Sequence, residues 1–277
     1  MARILALSSQ VVSGHVGLSA IVPALQLLGH EVLALPTILL SNHPGRQPTS
    51  GTRIEPDVLI KMLDRLASNG RLDNIDGVLT GYLPSAAHVG AAMRAIDLCS
   101  TNDRKPLYLC DPVIGDDPKG IYIDLAAAAA IRDQLLPRAD IVTPNRFELA
   151  WLSGLPVDDL TTATAAAHAL SRPLVLATSV PATAHTLITA AISATAVSVA
   201  EVPKRAIVPN GTGDLMAALF LAANLAGDGM MASILAQTVA CVDLVIAASA
   251  GNDELQLVAA KKDWAMKDWA MKKMTGS

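Results

Sequence analysis

Short apolar runs alternate with longer amphipathic stretches along most of the chain. Each short run, bounded by polar or turn residues, predicts a buried strand, and each longer stretch predicts a helix. The predicted strands comprise residues 3–7, 31–35, 77–80, 107–110, 141–143 and 174–177, followed by two antiparallel strands in 186–202 that turn near Ser193. The predicted helices comprise residues 17–28, 56–68, 84–99, 125–135, 146–153, 163–170, 213–226, 230–250 and 254–273.

This alternation of strand and helix predicts right-handed βαβ units and a mostly parallel sheet with helices on both faces. Ligands of such sheets bind at the carboxyl ends of the strands, so the loops after the strands are where function is expected. Several of these loops are polar, namely residues 8–10, 41–45, 111–112 and 143–145.

The composition narrows the class of protein. Of the 277 residues, 52% are hydrophobic and 17% are charged, which excludes disorder for most of the chain and predicts a large core. Because only 3% are aromatic, that core must consist of Ala, Leu, Val and Ile, which favours helices on a buried parallel sheet over an all-β sandwich. The net charge of -4, without a basic stripe, argues against nucleic acid as a partner.

No linker rich in Pro or Gly divides the chain, so we expect one domain over residues 1–277. The tail over about residues 261–277 is atypical and includes a duplicated DWAMK at 263–272, to which we assign no function. The apolar stretches 173–200 and 229–251 are expected to be buried elements, so no membrane is predicted as a partner.

The cysteines and the N-terminus indicate a cytoplasmic location. Cys99, Cys110 and Cys241 are scattered and form no CxxC pair, which argues against a zinc site or a disulfide framework and fits a reducing compartment. The apolar run at residues 4–7 is too short for the core of a signal peptide.

The strongest local signal is NGTGD at residues 210–214, which opens an apolar helix. Gly211 and Gly213 leave backbone N–H groups unobstructed at a helix N-terminus, an arrangement that favours an anion. Asp214, in the first turn, has the chemistry to take a proton from a substrate hydroxyl while these N–H groups hold developing phosphate charge. The alternative is a plain helix start, because Asp is common near helix N-termini.

Two other nucleotide-binding motifs are excluded. No G-x-x-x-x-G-K-[ST] sequence occurs in the chain, so there is no P-loop of the Walker type. Gly211 and Gly213 do not extend to G-x-G-x-x-G, because Met216 occupies the third glycine position and no βαβ unit follows. A dinucleotide-binding dehydrogenase is therefore disfavoured.

The remaining polar clusters allow both a functional and a structural interpretation. Residues 8–17 and 41–45 have groups that could bind a compact ring, or they form a helix-entry loop and a plain turn. In residues 110–120, Asp111 or Asp116 could lie near Mg²⁺, or the segment is a solvated surface loop. Asn145 could simply cap the next helix, with Glu148 at its N3 position as in a capping box.

Taken together, the order of these clusters resembles the ribokinase-like superfamily and, within it, the pyridoxal kinases of vitamin B6 salvage. The resemblance extends from about residue 4 to about residue 260. Its motifs are SQVVSGHVG at 9–17, SNHPG at 41–45, TGYL at 80–83, CDPV at 110–113, TPNRFEL at 143–149, TSVP at 178–181 and NGTGD at 210–214. GHVG, SNHPG and TPNxFE together are specific to the pyridoxal branch, whereas GTGD alone indicates only the superfamily.

The resemblance implies a three-layer αβα sandwich with a mostly parallel central sheet, and a homodimer. It also implies phosphoryl transfer from ATP with Mg²⁺, often with a monovalent cation, K⁺ or Na⁺. The acceptor would be the 5′-hydroxymethyl group of pyridoxal, with pyridoxine and pyridoxamine as further substrates, and the product would be pyridoxal 5′-phosphate.

Carried over by position, the resemblance implies a role for each matching residue. The catalytic group would consist of an anion hole and a base: Gly211, Thr212, Gly213 and Asp214. The substrate would contact Ser9, Val16, His43, Tyr82 and Asp214. ATP would contact Asp111, Asn145, Glu148, Thr178, Ser179, Gly211 and Gly213. Mg²⁺ would lie near two of these, Asp111 and Glu148.

Two positions depart from the family's pattern. Ser13 stands where many relatives have Tyr, and it cannot stack on a substrate ring. Thr178 stands where some relatives have Lys, so phosphate charge needs another partner. Two alternatives therefore stay open: a hydroxymethylpyrimidine kinase of thiamine synthesis, which shares the anion hole and base, and a catalytically weak protein that binds B6 vitamers. A purely structural interpretation would require that all these strand-end clusters arise without a ligand.

Overall fold

A nine-stranded sheet forms the centre of the protein. The computed structural model describes residues 1–101, 104–227 and 229–264. Its strands are β1 (Arg3–Val11), β2 (Glu31–Leu40), β3 (Gly51–Arg53), β4 (Gly77–Thr80), β5 (Leu107–Cys110), β6 (Gly115–Asp116), β7 (Gly120–Ile121), β8 (Ile141–Val142), β9 (Leu174–Pro181), β10 (Thr186–Ile192) and β11 (Val197–Pro203).

The order of strands in the main sheet is β11-β10-β9-β8-β5-β4-β1-β2-β3, and β6 and β7 form a separate two-stranded hairpin. The six strands from β9 to β2 are parallel, whereas β3, β10 and β11 pair in antiparallel fashion at the two ends of the sheet. Because the parallel strands all end at one edge, the loops after them are gathered there, as the sequence pattern predicts.

Helices cover both faces of the sheet. They are α1 (Leu18–Leu27), α2 (Pro56–Ser68), α3 (Ala86–Cys99), α4 (Leu125–Ala130), α5 (Arg146–Ser153), α6 (Leu160–Ala169), α7 (Thr212–Ala226), α8 (Met231–Ala248) and α9 (Lys261–Trp264). Alternate residues of β1 point into two separate cores: Leu5 and Leu7 pack on the side of α2 to α6, and Ile4 and Ala6 pack on the side of α1, α7 and α8. The molecule is thus a three-layer αβα sandwich.

Several elements differ from the sequence-based expectation. β1 and β2 are longer than predicted because residues 8–11 of β1 continue to pair with residues 36–40 of β2. The predicted helix 125–135 is α-helical only to Ala130 and continues as a π-helix, Ile131–Leu135. Residues 254–260 form no helix, since Glu254 pairs in extended conformation with Asn210. The rest of the predicted helix 254–273, beyond Trp264, and most of the DWAMK duplication lie outside the described residues.

By length and composition alone, α8 is apolar enough to cross a membrane. It packs, however, against α7, β10 and β11 as part of one helical layer. Its Asp243 also accepts a hydrogen bond from Arg205 at 2.6 Å. Core helices meet the same test of length and hydropathy, and we assign α8 to the core. The other long apolar stretch, 173–200, forms β9, β10 and part of β11.

Candidate active site

Backbone hydrogen bonds tie neighbouring loops together at the carboxyl edge of the sheet. The amides of Gly81, Asp111 and Thr143 each donate to a carbonyl at the end of the adjacent strand, at 2.8, 2.8 and 3.1 Å. Polar clusters that are far apart in the sequence therefore lie side by side, which is the arrangement expected of a ligand site in a parallel sheet.

The turn that precedes α7 is open to an anion. Gly211 has a φ of +97°, and a Cβ there would lie 1.9 Å from the carbonyl oxygen of His15, so only glycine fits. A Cβ on Gly213 would meet no atom within 4 Å. The first amides of α7, which begins at Thr212, have no partner within the helix and lie at the positive end of its dipole.

Asp214 points from the first turn of α7 towards the N-terminal loop. Its Oδ2 accepts a hydrogen bond from the Gly17 amide at 2.8 Å. Gly17 packs directly on Ser9, since a Cβ on Gly17 would lie 2.4 Å from the Ser9 Oγ. Val16 lies on the same loop, and its Cγ1 is 3.2 Å from where a Cβ on Gly211 would stand. Three residues predicted on the substrate side, Ser9, Val16 and Asp214, are thus brought together.

Burial changes the chemistry of the Asp214 carboxyl. Removal from water disfavours the charged form and raises the pKa of Asp214 to about 6, although the Gly17 hydrogen bond acts in the opposite direction. The group is therefore ionised at neutral pH and is a stronger base than an exposed aspartate. A pKa near the working pH is what general-base catalysis requires.

Asp111, the residue after β5, is a second carboxyl at this edge and is buried more deeply than Asp214. Its Oδ1 accepts a hydrogen bond from the Thr143 hydroxyl at 2.9 Å. Burial, together with the negative charges of Glu148 and Asp214, raises the pKa of Asp111 well above its ordinary value. Asp111 is therefore close enough to both Glu148 and Asp214 for their charges to affect its ionisation.

Glu148 and Asn145 form the capping box that the sequence allows at the start of α5. The Asn145 Oδ1 accepts from the Glu148 amide at 2.9 Å, and Glu148 Oε2 accepts from the Asn145 amide at 3.0 Å. The same two side chains hold the loop after β5, because Glu148 Oε1 accepts from the Ile114 amide and Asn145 Nδ2 donates to the Gly115 carbonyl. Burial nevertheless raises the pKa of Glu148 to about 7.

The acidic end of this site suits a divalent cation that arrives with phosphate. Asp111 and Glu148 are buried carboxylates that disfavour each other's charge. Mg²⁺ commonly takes one or two carboxylates together with water and substrate phosphates. Within residues 1–101, 104–227 and 229–264, no three His, Cys, Asp or Glu side chains cluster closely enough to hold a metal ion alone. The donor set therefore fits Mg²⁺ bound together with a nucleotide.

Thr178 and Ser179 lie in β9 beside the start of α5. The Thr178 amide donates to the Pro144 carbonyl at 3.0 Å, which joins this strand to the capping box. Ser179 adopts a φ of +59°, which is uncommon for a residue other than glycine and marks a strained position at this edge. Thr178 is thus joined to the 143–145 loop, whose Thr143 donates to Asp111. A contact of Thr178 and Ser179 with ATP stays a prediction from the resemblance.

His43 and Tyr82 lie on two further loops. His43 Nδ1 accepts a hydrogen bond from the Gly45 amide at 3.0 Å. Burial first, and then the charges of Lys119 and Arg46, lower the pKa of His43, so it is neutral at neutral pH. The Tyr82 amide donates to the Ser8 hydroxyl at 3.1 Å, and burial raises the pKa of the Tyr82 phenol.

The hairpin of β6 and β7 contributes two further residues: Lys119, in the loop that the sequence suggested could cover phosphates, and Tyr122, to which the sequence gave no role. Tyr122 follows β7 and is 49% exposed as a residue. Burial of its phenol first, and then the charges of Glu148 and Asp111, raise the pKa of that group. Lys119, at the tip of the hairpin, is close enough to His43 to lower the pKa of that imidazole. The sequence did offer a signal for Tyr122, because only 3% of the residues are aromatic and this one follows a polar loop.

Comparisons with known proteins agree with this geometry. A sequence model of the phosphomethylpyrimidine kinase family matches residues 13–252. Pyridoxal kinase PdxY of Deinococcus radiodurans is 38% identical over 275 residues, which cover 95% of this chain and 92% of that protein. Pyridoxal kinase PdxY of Leifsonia xyli subsp. xyli is 34% identical, with 95% of both chains covered.

Solved structures show the same fold. Pyridoxal kinase from Leishmania donovani in complex with ADP and pyridoxine is 29% identical, with a TM-score of 0.82 and coverage of 95% of this chain and 94% of that one. Pyridoxal kinase from Entamoeba histolytica has a TM-score of 0.87 at 24% identity and covers 96% of both chains, a likeness that shows the fold alone.

The sheet order, the helical layers and these neighbours define the class first, which is the ribokinase-like fold. Because relatives at 38% and 34% identity are matched over nearly their whole length, the chain belongs to the pyridoxal kinase family. The fold and the family that the sequence motifs predicted are thereby confirmed. The roles of individual residues stay predictions.

Proposed function

We propose that this protein transfers the γ-phosphoryl group of ATP to the 5′-hydroxymethyl oxygen of pyridoxal and so forms pyridoxal 5′-phosphate. The family supports the reaction, and the Leishmania donovani relative is named as a complex with ADP and pyridoxine. The observation that carries the proposal is Asp214: a half-buried carboxylate with a pKa of about 6, fixed by the Gly17 amide at 2.8 Å beside an open turn of backbone amides.

In this mechanism Asp214 accepts the proton of the hydroxymethyl group as its oxygen attacks phosphorus in line. The amides of residues 211–213 stabilise the negative charge that develops on the transferring group, which is the main requirement of phosphoryl transfer. Asp111 and Glu148 would hold Mg²⁺ on the nucleotide side. When bound, that ion supplies neutralising charge to the phosphate oxygens.

The other predicted residues divide between the two ligands. Ser9, Val16, His43 and Tyr82 would surround the pyridine ring. A neutral His43 fits this role because its lowered pKa leaves no charge near the ring at neutral pH. Asn145, Thr178 and Ser179 would contact ATP.

We further propose the properties that the resemblance implies for the whole protein. These are a single domain over residues 1–277, a homodimer, a requirement for K⁺ or Na⁺, and a cytoplasmic location. All three cysteines are buried and none forms a disulfide with another, which agrees with a reducing compartment.

A second candidate is the kinase of hydroxymethylpyrimidine. It is favoured by the family model described as phosphomethylpyrimidine kinase, which matches residues 13–252. Such an enzyme would use the same base and anion turn, so only the loops at 9–17 and 41–45 distinguish the two acceptors.

The test is an ADP-release assay with ATP, Mg²⁺ and four acceptors side by side: pyridoxal, pyridoxine, pyridoxamine and hydroxymethylpyrimidine. We expect the highest kcat/KM for pyridoxal or another B6 vitamer. A higher value for hydroxymethylpyrimidine would overturn the substrate assignment. Tight binding of pyridoxal without ADP release would show instead a protein that binds B6 vitamers without phosphorylating them.

A further inference from the structure

A short C-terminal segment, residues 253–255, contacts three loops of the site: the 9–17 loop, the 41–46 loop and the turn before α7. Glu254 pairs in parallel fashion with Asn210, the residue before the anion turn. The Leu255 carbonyl lies 2.9 Å from Nδ1 of His15, in the N-terminal loop. No part of this segment was assigned a functional role from its sequence, because its contacts with Ser13, His15 and Arg46 join residues more than 200 positions apart.

The Glu254 side chain joins two loops to each other. Its Oε1 accepts a hydrogen bond from the Ser13 hydroxyl at 3.2 Å and from the Arg46 guanidinium at 3.0 Å. Asp253 provides a second carboxylate to Arg46. The Arg46 and Glu254 side chains are each 33% exposed, so water only partly screens their attraction.

The two loops joined in this way are those that distinguish substrates. Ser13 lies in the segment that ends at Gly17, whose amide fixes Asp214. Arg46 lies in the same loop as His43, and its amide donates to the His43 carbonyl at 2.9 Å. Glu254 therefore connects the loop that orients the proposed base with the loop that carries the proposed ring contact.

Glu254 does not itself line a space large enough for substrate. The cavity among Ser13, His43, Arg46, Asn210 and Glu254 measures about 20 Å³, which is room for about one water molecule and not for a pyridine ring. Its effect on substrate must therefore be indirect, through the positions of the two loops. Where an aromatic residue at position 13 could lean on the ring, the Ser13 of this chain donates to a carboxylate.

We propose that Glu254 is a positioning residue which, through Ser13 and Arg46, holds the 9–17 and 41–46 loops in the arrangement that binds the acceptor. This inference rests on the proposed function. It predicts a selective effect: loss of Glu254 weakens binding of the acceptor and leaves binding of ATP, on the opposite side, unchanged.

The test compares KM values for pyridoxal and for ATP in Glu254→Gln, Glu254→Ala, Arg46→Gln and the double variant Glu254→Gln/Arg46→Gln. We expect the KM for pyridoxal to rise about threefold to tenfold in Glu254→Ala, the scale of one or two partly exposed charged hydrogen bonds, with the KM for ATP within about twofold of wild type. Glu254→Gln should have a smaller effect because it keeps an acceptor for Ser13. The effects of the two Gln substitutions should be less than additive.

The matched control is Asp64→Asn, which removes an ion pair of the same kind with Arg94 between α2 and α3. It should leave both KM values unchanged. Equal changes in the two KM values, full additivity, or no change in the KM for pyridoxal would overturn the proposal.

A second measurement separates this proposal from the reaction itself. Amide hydrogen exchange in residues 41–53 should be faster in Glu254→Gln than in wild type, because the loop loses its ion pair. If wild type fails to phosphorylate pyridoxal, the proposed function is wrong, and the exchange rates still decide whether Glu254 holds the loop. Equal exchange in the two proteins would show that it does not.

Discussion

At the scale of single residues, Asp214 combines two properties that a general base needs. The Gly17 amide fixes its carboxylate at 2.8 Å, and burial raises its pKa to about 6. Asp111 and Glu148 also have raised pKa values. Their hydrogen bonds, however, go to Thr143 and to the backbone of the loop after β5, and not to the loop beside the anion turn. Position relative to the anion turn is what distinguishes Asp214.

The raised pKa of Asp214 predicts the pH dependence of catalysis. The base must be ionised, so kcat/KM for pyridoxal should fall about tenfold per pH unit below about pH 6 and level off above it. An ordinary exposed aspartate would remain ionised, and hence active, down to about pH 4. Initial rates between about pH 5 and about pH 8, at saturating ATP, measure this. A flat profile between about pH 5 and about pH 7 would contradict the assignment of the base.

At the scale of elements, helix starts serve both the fold and the site. The capping box of α5 uses Asn145 and Glu148 to satisfy the first amides of the helix, and the same side chains hold the loop after β5. α7 begins differently, because Gly211 precedes it and offers no side-chain cap, so its first amides are left for a ligand. One helix start is closed by its own side chains and the other is open.

This contrast predicts the effect of Gly211→Ala. The new Cβ would lie 1.9 Å from the His15 carbonyl oxygen at a φ of +97°, so the turn must shift or strain, at a cost of about 1–3 kcal/mol. We expect a lower Tm and a loss of kcat of at least about tenfold, because displaced amides stabilise phosphate charge poorly.

Gly90→Ala is the control for this substitution. Gly90 lies inside α3 with no atom within 4 Å of a Cβ, so alanine should stabilise the protein by about 0.5–1 kcal/mol and leave kcat unchanged. Thermal unfolding and initial rates of both variants provide the measurement. If Gly211→Ala had wild-type kcat, the anion turn would have no catalytic role.

The sequence predicted elements best where apolar runs are fully buried. The predicted strands at 77–80 and 107–110 match β4 and β5 at both ends. The sequence did not predict β3, β6 and β7, which contain no apolar run. These short strands form because each pairs with a neighbouring strand. The predicted helix over 254–260 is absent for the same reason, because Glu254 pairs with Asn210.

Of the candidate site, the sequence predicted the residue types and the edge of the sheet, but not their environment. The NGTGD motif indicated a base beside open amides, yet the raised pKa of Asp214 depends on burial that only the fold creates. Glu254 received no role, because its contacts are with residues that are distant along the chain. Local patterns contain no information on such contacts.

At the scale of the whole molecule, the parallel sheet explains why loops from both halves of the sequence meet. The loop after β1 and the first turn of α7 are almost 200 positions apart in the sequence. The hydrogen bond from the Gly17 amide to Asp214 joins them directly. The two apolar cores fix the helices on either face of the sheet. The site is therefore a property of the complete sandwich.

The proposed homodimer is tested at this scale by mass. Sedimentation equilibrium should give a species of twice the 28.8 kDa chain mass at micromolar concentration. The same measurement on Glu254→Gln should give the same mass, because the Glu254 contacts lie within one chain. A monomer of wild type at all accessible concentrations would contradict the dimer and leave the catalytic proposal untouched.

The central claim is that Asp214 is the base for transfer of phosphate from ATP to pyridoxal, and Asp214→Asn tests it most directly. One preparation of each protein is assayed for formation of pyridoxal 5′-phosphate, and for ADP affinity by calorimetry. We predict that the variant loses about a hundredfold to ten-thousandfold in kcat while its ADP affinity and Tm stay close to those of wild type. Turnover at the wild-type rate by a folded Asp214→Asn protein would contradict the account.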